Sequence, residues 1–177
     1  MKKILTLFAV VGLMAFSSCT GSDGPVGPQG EPGQDGLIAE VFELKNINFA
    51  LDGGVYTIRQ SLNPVIFDSD VILIYRLDGT INATTPIWQQ IPRTVFTDAG
   101  EFDYDFDFSK QDFSIYARGN YNLALTPQFI NNQTFRIVII PGAFSTTGKS
   151  VNKADYSDYN AVIKQYNIDD SNVKRLN

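Results

Sequence analysis

The chain of 177 residues contains no histidine and a single cysteine. Without imidazole there is no Ser-His-Asp or Cys-His catalytic group and no zinc site of the usual His/Cys kind. A lone thiol also excludes a Cys-x-x-Cys redox pair. Basic residues are scarce, with 14 Lys and Arg against 19 Asp and Glu, for a formal charge of −5. Nucleic acid and polybasic membrane attachment both reward clustered Lys and Arg, so neither is expected as a partner. No Gly-x-Gly-x-x-Gly follows a strand, so a dinucleotide cofactor is not indicated, and no cofactor is expected.

No apolar run reaches the ~20 residues that span a bilayer. The longest, Ile4 to Phe16, has thirteen residues and follows Met1-Lys2-Lys3. A short apolar run with basic residues before it and small ones after it predicts a secretory signal peptide. Ser17 and Ser18 directly precede Cys19. This resembles a bacterial lipobox, with Phe16 where an aliphatic residue is usual. The resemblance implies cleavage before Cys19, removal of residues 1–18 and lipid attachment to the Cys19 thiol. Lipidation would also consume a cysteine that is otherwise an oxidation liability in an exported protein. Losing Lys2 and Lys3 takes the formal charge from −5 to −7.

Glycine occupies every third position from Gly21 to Gly36, and Pro25, Pro28 and Pro32 fall between. The period is that of collagen, whose triple helix needs glycine at an axis crowded by three chains. Five triplets offer little against the entropy of assembling three chains, although clustering on a membrane leaves a weak homotrimer open. The same residues suit an extended spacer: at ~3.1 Å per residue, residues 21–36 reach about 50 Å. We therefore assign residues 19–36 to a lipidated cysteine and linker.

Residues 37–177 are long enough for one domain with its own core, and they hold nearly all of the aromatic residues. Alternating runs flank Asp52-Gly53-Gly54 within Ile47 to Gln60, as in a hairpin. Val71 to Leu77 is almost continuously apolar, which predicts a strand buried on both sides or central in a sheet, ended by Asp78-Gly79. Thr94 to Phe108 predicts a hairpin across Asp98-Ala99-Gly100, and Phe113 to Arg118 and Phe135 to Ile140 add two strands. The expected fold class is all-β, an antiparallel β-sandwich of seven to nine strands. One short helix is expected near the C-terminus, because Tyr159, Val162, Ile163 and Tyr166 form one helical stripe. Asp155 or Ser157 is the expected cap, and the last residues read as frayed.

Several motifs invite a catalytic or binding role. Gly142 and Gly148-Lys149 follow a strand, but five residues separate the glycines where a phosphate loop has four. Ser150 to Lys153 and Ser171 to Lys174 both fit Ser-x-x-Lys, without the accompanying Lys-Thr-Gly element. Asn82-Ala83-Thr84 and Asn132-Gln133-Thr134 are sequon-shaped and read as surface turns. Trp88 reads as core or rim packing, with an exposed ligand platform as the alternative.

In Glu101 to Phe108, alternation puts Phe102, Tyr104, Phe106 and Phe108 on one face and Asp103, Asp105 and Asp107 on the other. The three aspartates are weak calcium candidates: the EF-hand register fails, and side chains at i and i+2 of a strand stand ~7 Å apart. An aromatic core face with an acidic solvent face is the simpler expectation.

The lipobox and triplets, with Val71 to Leu77, Asn132 to Phe144 and Asp158 to Tyr166, resemble small uncharacterised lipoproteins of Bacteroidota, of flavobacterial type. The resemblance implies an outer-membrane or cell-surface location and leaves the activity open. Two functions remain. One is a non-enzymatic surface module that binds an envelope protein or a glycan, or plays a structural part in the envelope. The other is a glycan-acting enzyme using a carboxylate pair drawn from Asp98, Glu101 and Asp103 to Asp107, which needs two carboxyls ~5 to 9 Å apart across a cleft. The first is the expectation, with no catalytic residue assigned.

Overall fold

A computed structural model describes residues 38–142 and 155–176. Cys19, the triplets, the residues following Gly142 in the glycine-lysine loop, and Ser150 to Lys153 lie outside the described residues.

The described residues form two five-stranded sheets, a β-sandwich of ten strands against the seven to nine expected. In chain order the strands are β1 (Glu40–Ile47), β2 (Ala50–Asp52), β3 (Val55–Ser61), β4 (Val71–Asn82), β5 (Thr85–Ile91), β6 (Arg93–Thr97), β7 (Gly100–Phe108), β8 (Asp112–Gly119), β9 (Gln133–Ile140) and β10 (Lys174–Arg175). The first sheet runs β10-β1-β9-β4-β5 and the second β2-β3-β8-β7-β6. Every pair is antiparallel except β1 with β10.

Alternation explains which side chains meet. Leu44, Ile72, Ile74, Phe135 and Ile137 point between the sheets, where they join Ile58, Phe102, Tyr104, Phe113 and Ile115. The other face of the first sheet carries Val41, Leu73, Tyr75, Val138 and Ile140, all buried. These belong to a second apolar cluster with Tyr159, Val162 and Ile168. The helix that supplies the first two, α1 (Tyr159–Gln165), lays its predicted stripe on this face. β4 from Ile72 to Tyr75 and β9 from Ile137 to Ile140 are thus apolar at every position because both faces are covered there.

The edge of that second layer is polar. The Arg136 guanidinium lies over the Trp88 ring at 4.6 Å and the Tyr159 ring at 5.1 Å. It pairs with Asp170 Oδ2 at 2.8 Å and Glu43 Oε2 at 3.5 Å, and donates to the Tyr159 hydroxyl. Helix, strand and C-terminal segment therefore meet at one cation.

Three local expectations are corrected. Asp78-Gly79 does not end β4, which runs on to Asn82; a register shift between Leu77 and Gly79 absorbs the irregularity and pairing with β5 resumes. The cap of α1 is Asp158, whose Oδ1 accepts from the amides of Asn160 and Ala161 at 2.9 and 3.2 Å, while Asp155 accepts from Ser157 one turn earlier. The C-terminal segment is not frayed: Asp170 holds Arg136, β10 pairs with β1, and the Leu176 amide donates to Glu43 O at 3.1 Å. The turn glycines Gly53 and Gly54 have φ of 57° and 87°, the left-handed conformation that the hairpin reading requires.

Burial pushes the phenols of Tyr75, Tyr104 and Tyr159 well above their ordinary value of 10.0. Tyr75 and Tyr104 donate to the carbonyls of Tyr156 and Phe129, each at 2.6 Å. Above pH 10 the unfolded chain releases these protons and the folded chain keeps them, so the unfolded state binds fewer protons and stability falls as pH rises. We expect a melting temperature that declines from about pH 10 upward. Tyr104→Phe should cost about 1 kcal/mol at neutral pH through its lost hydrogen bond. It should also make the alkaline decline shallower, as read by thermal melts between pH 7 and 11.5.

Candidate functional site

The two sheets differ in what covers their outer faces. Helix α1 and the C-terminal segment lie on the first. The outer face of the second keeps its larger side chains exposed or half-exposed, and only the small Thr57 and Ser114 are buried there among the described residues.

Register assembles this face. β7 and β8 pair Asp103 with Arg118, Asp105 with Tyr116 and Asp107 with Ser114, while β6 sets Thr94 against Asp103 and Phe96 against Glu101. On the far side β3 sets Thr57 against Tyr116 and Arg59 against Ser114. Side chains opposite one another in a ladder sit about 5 Å apart, close enough to interact. The Tyr116 hydroxyl donates to Asp107 Oδ2 at 2.9 Å, and Thr94 donates to Asp103 Oδ1 at 2.5 Å. The Arg118 guanidinium stacks over the Tyr116 ring at 4.5 Å, with Nη1 3.8 Å from Asp105 Oδ2. Phe96, at 78% exposure, is the most exposed of the large apolar side chains among the described residues.

The sequence-predicted aspartates are therefore on one face, as alternation requires, and Phe102 and Tyr104 on the opposite one are core. Phe108, however, is exposed at the strand end, so the aromatic face is buried only over its first part. Each aspartate of the row engages a different neighbour instead of converging with the others. Among the described residues no three Asp, Glu, Cys or His side chains come together as a metal ion would require. Asp98 and Glu101 are exposed at and beside the β6–β7 turn. What the sequence reading missed is the part played by Tyr116 and Arg118. The period-2 pattern of Phe113 to Arg118 carried part of the signal, since it sets Tyr116 and Arg118 on one face, while their pairing with the acidic row comes from the register.

The other motifs resolve into packing and turns. Trp88 is half-buried against the second cluster, 5.6 Å from the Tyr159 ring. Asn82 closes the β4–β5 turn by accepting from the Thr84 amide and hydroxyl, both at 3.0 Å. Asn132 is exposed with φ of 54°, although the Gln133 and Thr134 that follow it are buried. The Ser171 hydroxyl donates to Asp169 Oδ1 at 2.6 Å, which holds that carboxyl below its ordinary range, and Lys174 Nζ lies 5.9 Å from the Phe42 ring. Among the described residues no helix is long and apolar enough to cross a membrane.

No family model matches the chain, and neither the curated proteins nor the solved structures contain a significant match to it.

Because the Asp103, Asp105 and Asp107 carboxylates are held apart by separate partners, millimolar calcium should leave the melting temperature unchanged. Asp105→Asn should cost less than ~1 kcal/mol, as its ion pair is half-exposed and screened. A calcium-induced rise in melting temperature that Asp105→Asn abolished would instead assign an ion to the row.

Proposed function

We propose that this protein is an exported, lipid-anchored surface module that binds a partner through the open face of its second sheet, without catalysis. The observation that carries this is the asymmetry of the sandwich. One outer face is buried under a helix and a strap, while the other presents Phe96, Tyr116, Arg118 and the Asp103 to Asp107 row to the surroundings. A polar face with an exposed aromatic residue and side chains pinned to one another loses little conformational entropy on binding, which is what a recognition surface needs. The carboxylates that a glycosidase-like pair would draw on lie on this open face and its adjoining turn, which favours binding over hydrolysis.

The anchor part of the proposal rests on the sequence. Cys19 carries the lipid, residues 19–36 form the spacer, and the sandwich stands off an outer membrane or cell surface. Two acyl chains hold a protein stably where one does not, at ~0.8 kcal/mol per buried methylene. No cofactor and no nucleic acid enters the scheme, and the partner is an envelope protein or a glycan.

Photo-crosslinking in intact cells tests both parts. With a photoreactive residue at Phe96, a discrete adduct is expected in the membrane fraction, whereas the same probe at Lys164 on the exposed side of α1 should give none. Cys19→Ser should move the chain out of the membrane fraction. An adduct at Lys164 without one at Phe96 would refute the open face, and membrane retention of Cys19→Ser would refute the anchor.

A further inference from the structure

The open face ends in a cleft whose chemistry differs from the rest of it. β3 and β8 stay paired only as far as Tyr56 with Ala117, whereas β7 follows β8 two residues further, to Phe102 with Gly119. Arg118 and Gly119 therefore lose their β3 neighbour. The gap between the β2–β3 hairpin and residues 121–123 opens a depression of about 390 Å³. That lies within the ~300 to 1,000 Å³ typical of small-ligand sites.

Its lining combines apolar Leu51, Val55, Leu123 and Tyr56 with the donor residues Arg118 and Asn122. No acidic residue lines it, although the chain is acidic overall. Arg118 has one loose ion pair, and Asp103 opposite it accepts from Thr94. Asp105 stands 3.8 Å away, beyond hydrogen-bond distance, and the Tyr116 ring holds the guanidinium in place without using its N–H groups. Asn122 spends its side-chain oxygen on the Ala124 amide at 3.0 Å, so its NH₂ group is left to donate. A fixed guanidinium and a fixed amide donor beside an apolar wall select a ligand that brings acceptors, negative charge and a C–H face together. Guanidinium matches carboxylate bidentately.

We propose that this cleft binds a uronate, the carboxylate-bearing sugar unit of an acidic glycan. Its carboxylate is held by Arg118, a ring hydroxyl accepts from Asn122, and its C–H face lies against Tyr56 and Leu51. A fatty carboxylate would leave the Asn122 donor unmatched, and a neutral sugar would leave the Arg118 charge unused. This deepens the surface-module reading and rests on it, by naming the glycan and the end of the face that reads it.

Calorimetric titration of the full chain with oligogalacturonate, with neutral oligogalactose of equal length and with hexanoate tests it. Saturable binding is expected for oligogalacturonate only. Arg118→Met keeps the aliphatic stem on Tyr116 and should weaken binding at least tenfold. Leu51→Glu adds a like charge at a position 63% exposed, where the fold tolerates it, and should weaken binding by a similar factor. Arg93→Met, on the opposite edge strand, should change nothing. Equal binding of oligogalactose, competition by hexanoate, full affinity in both cleft variants or no saturable binding of oligogalacturonate would each overturn the uronate site. If the Phe96 crosslink persists while oligogalacturonate fails to bind, only the uronate site falls; if the crosslink is also absent, the surface module falls with it.

Discussion

The burial on both faces of β4 from Ile72 to Tyr75 and of β9 from Ile137 to Ile140 is the constraint that the rest of the structure obeys. A sandwich strand ordinarily alternates, with one face in the core and the other in water. Here Ile72 and Ile74 enter the core between the sheets while Leu73 and Tyr75 face the other way, and Ile137 and Ile139 do so against Val138 and Ile140. Left bare, that second face would expose several side chains worth about 1.5 to 3 kcal/mol each on burial. Helix α1 and the C-terminal strap are the cover. Arg136 fixes where the cover ends, because its guanidinium binds an aromatic pair and two carboxylates drawn from the sheet and from the strap. A cation at this rim needs all of those partners, since a charge removed from water without them is costly.

The same demand explains what the sequence could reveal. Val71 to Leu77 was readable as a strand covered twice because it shows almost no alternation. The Tyr159, Val162, Ile163, Tyr166 stripe was readable as the helix that packs on a sheet. What remained illegible was local. Asp158 outcompetes Asp155 and Ser157 as the cap because it stands directly before the first helical residue, and three short oxygen-bearing side chains within four positions leave sequence unable to choose. The continuation of β4 past Asp78-Gly79 depends on a bulge that only pairing with β5 stabilises. The tail resembles a frayed end because its anchoring residue, Asp170, has its partner 34 residues away in β9. Long-range ion pairs leave no periodic trace.

On the second sheet the alternation of Glu101 to Phe108 gave the two faces but not their neighbours. That Tyr116 and Arg118 oppose the acidic row follows from the register of β7 with β8, which the turn at Ser109 to Gln111 sets. There the Ser109 amide donates to Asp112 O at 2.8 Å and the Gln111 amide to Ser109 Oγ at 3.1 Å. A slip of one residue would have placed either Ile115 and Ala117 in water or the aspartates in the core. Core burial of Ile115 and Ala117 thus also determines which polar groups share the open face.

The chemistry of that face then depends on how little of its charge is cancelled. Arg59 has Asp52 at 3.2 Å, whereas Arg118 has its nearest carboxylate at 3.8 Å and otherwise an aromatic ring. Stacking on Tyr116 restricts the guanidinium without consuming its donors, and the Tyr116 hydroxyl is restrained in turn by Asp107. The cation is therefore oriented by a neutral group that is oriented by an anion. Had Asp105 closed to bidentate distance, it would have occupied two of the guanidinium N–H groups. Held apart at the point where β3 leaves β8, Arg118 keeps its hydrogen-bonding capacity for a ligand, and the divergence of two strands becomes a site.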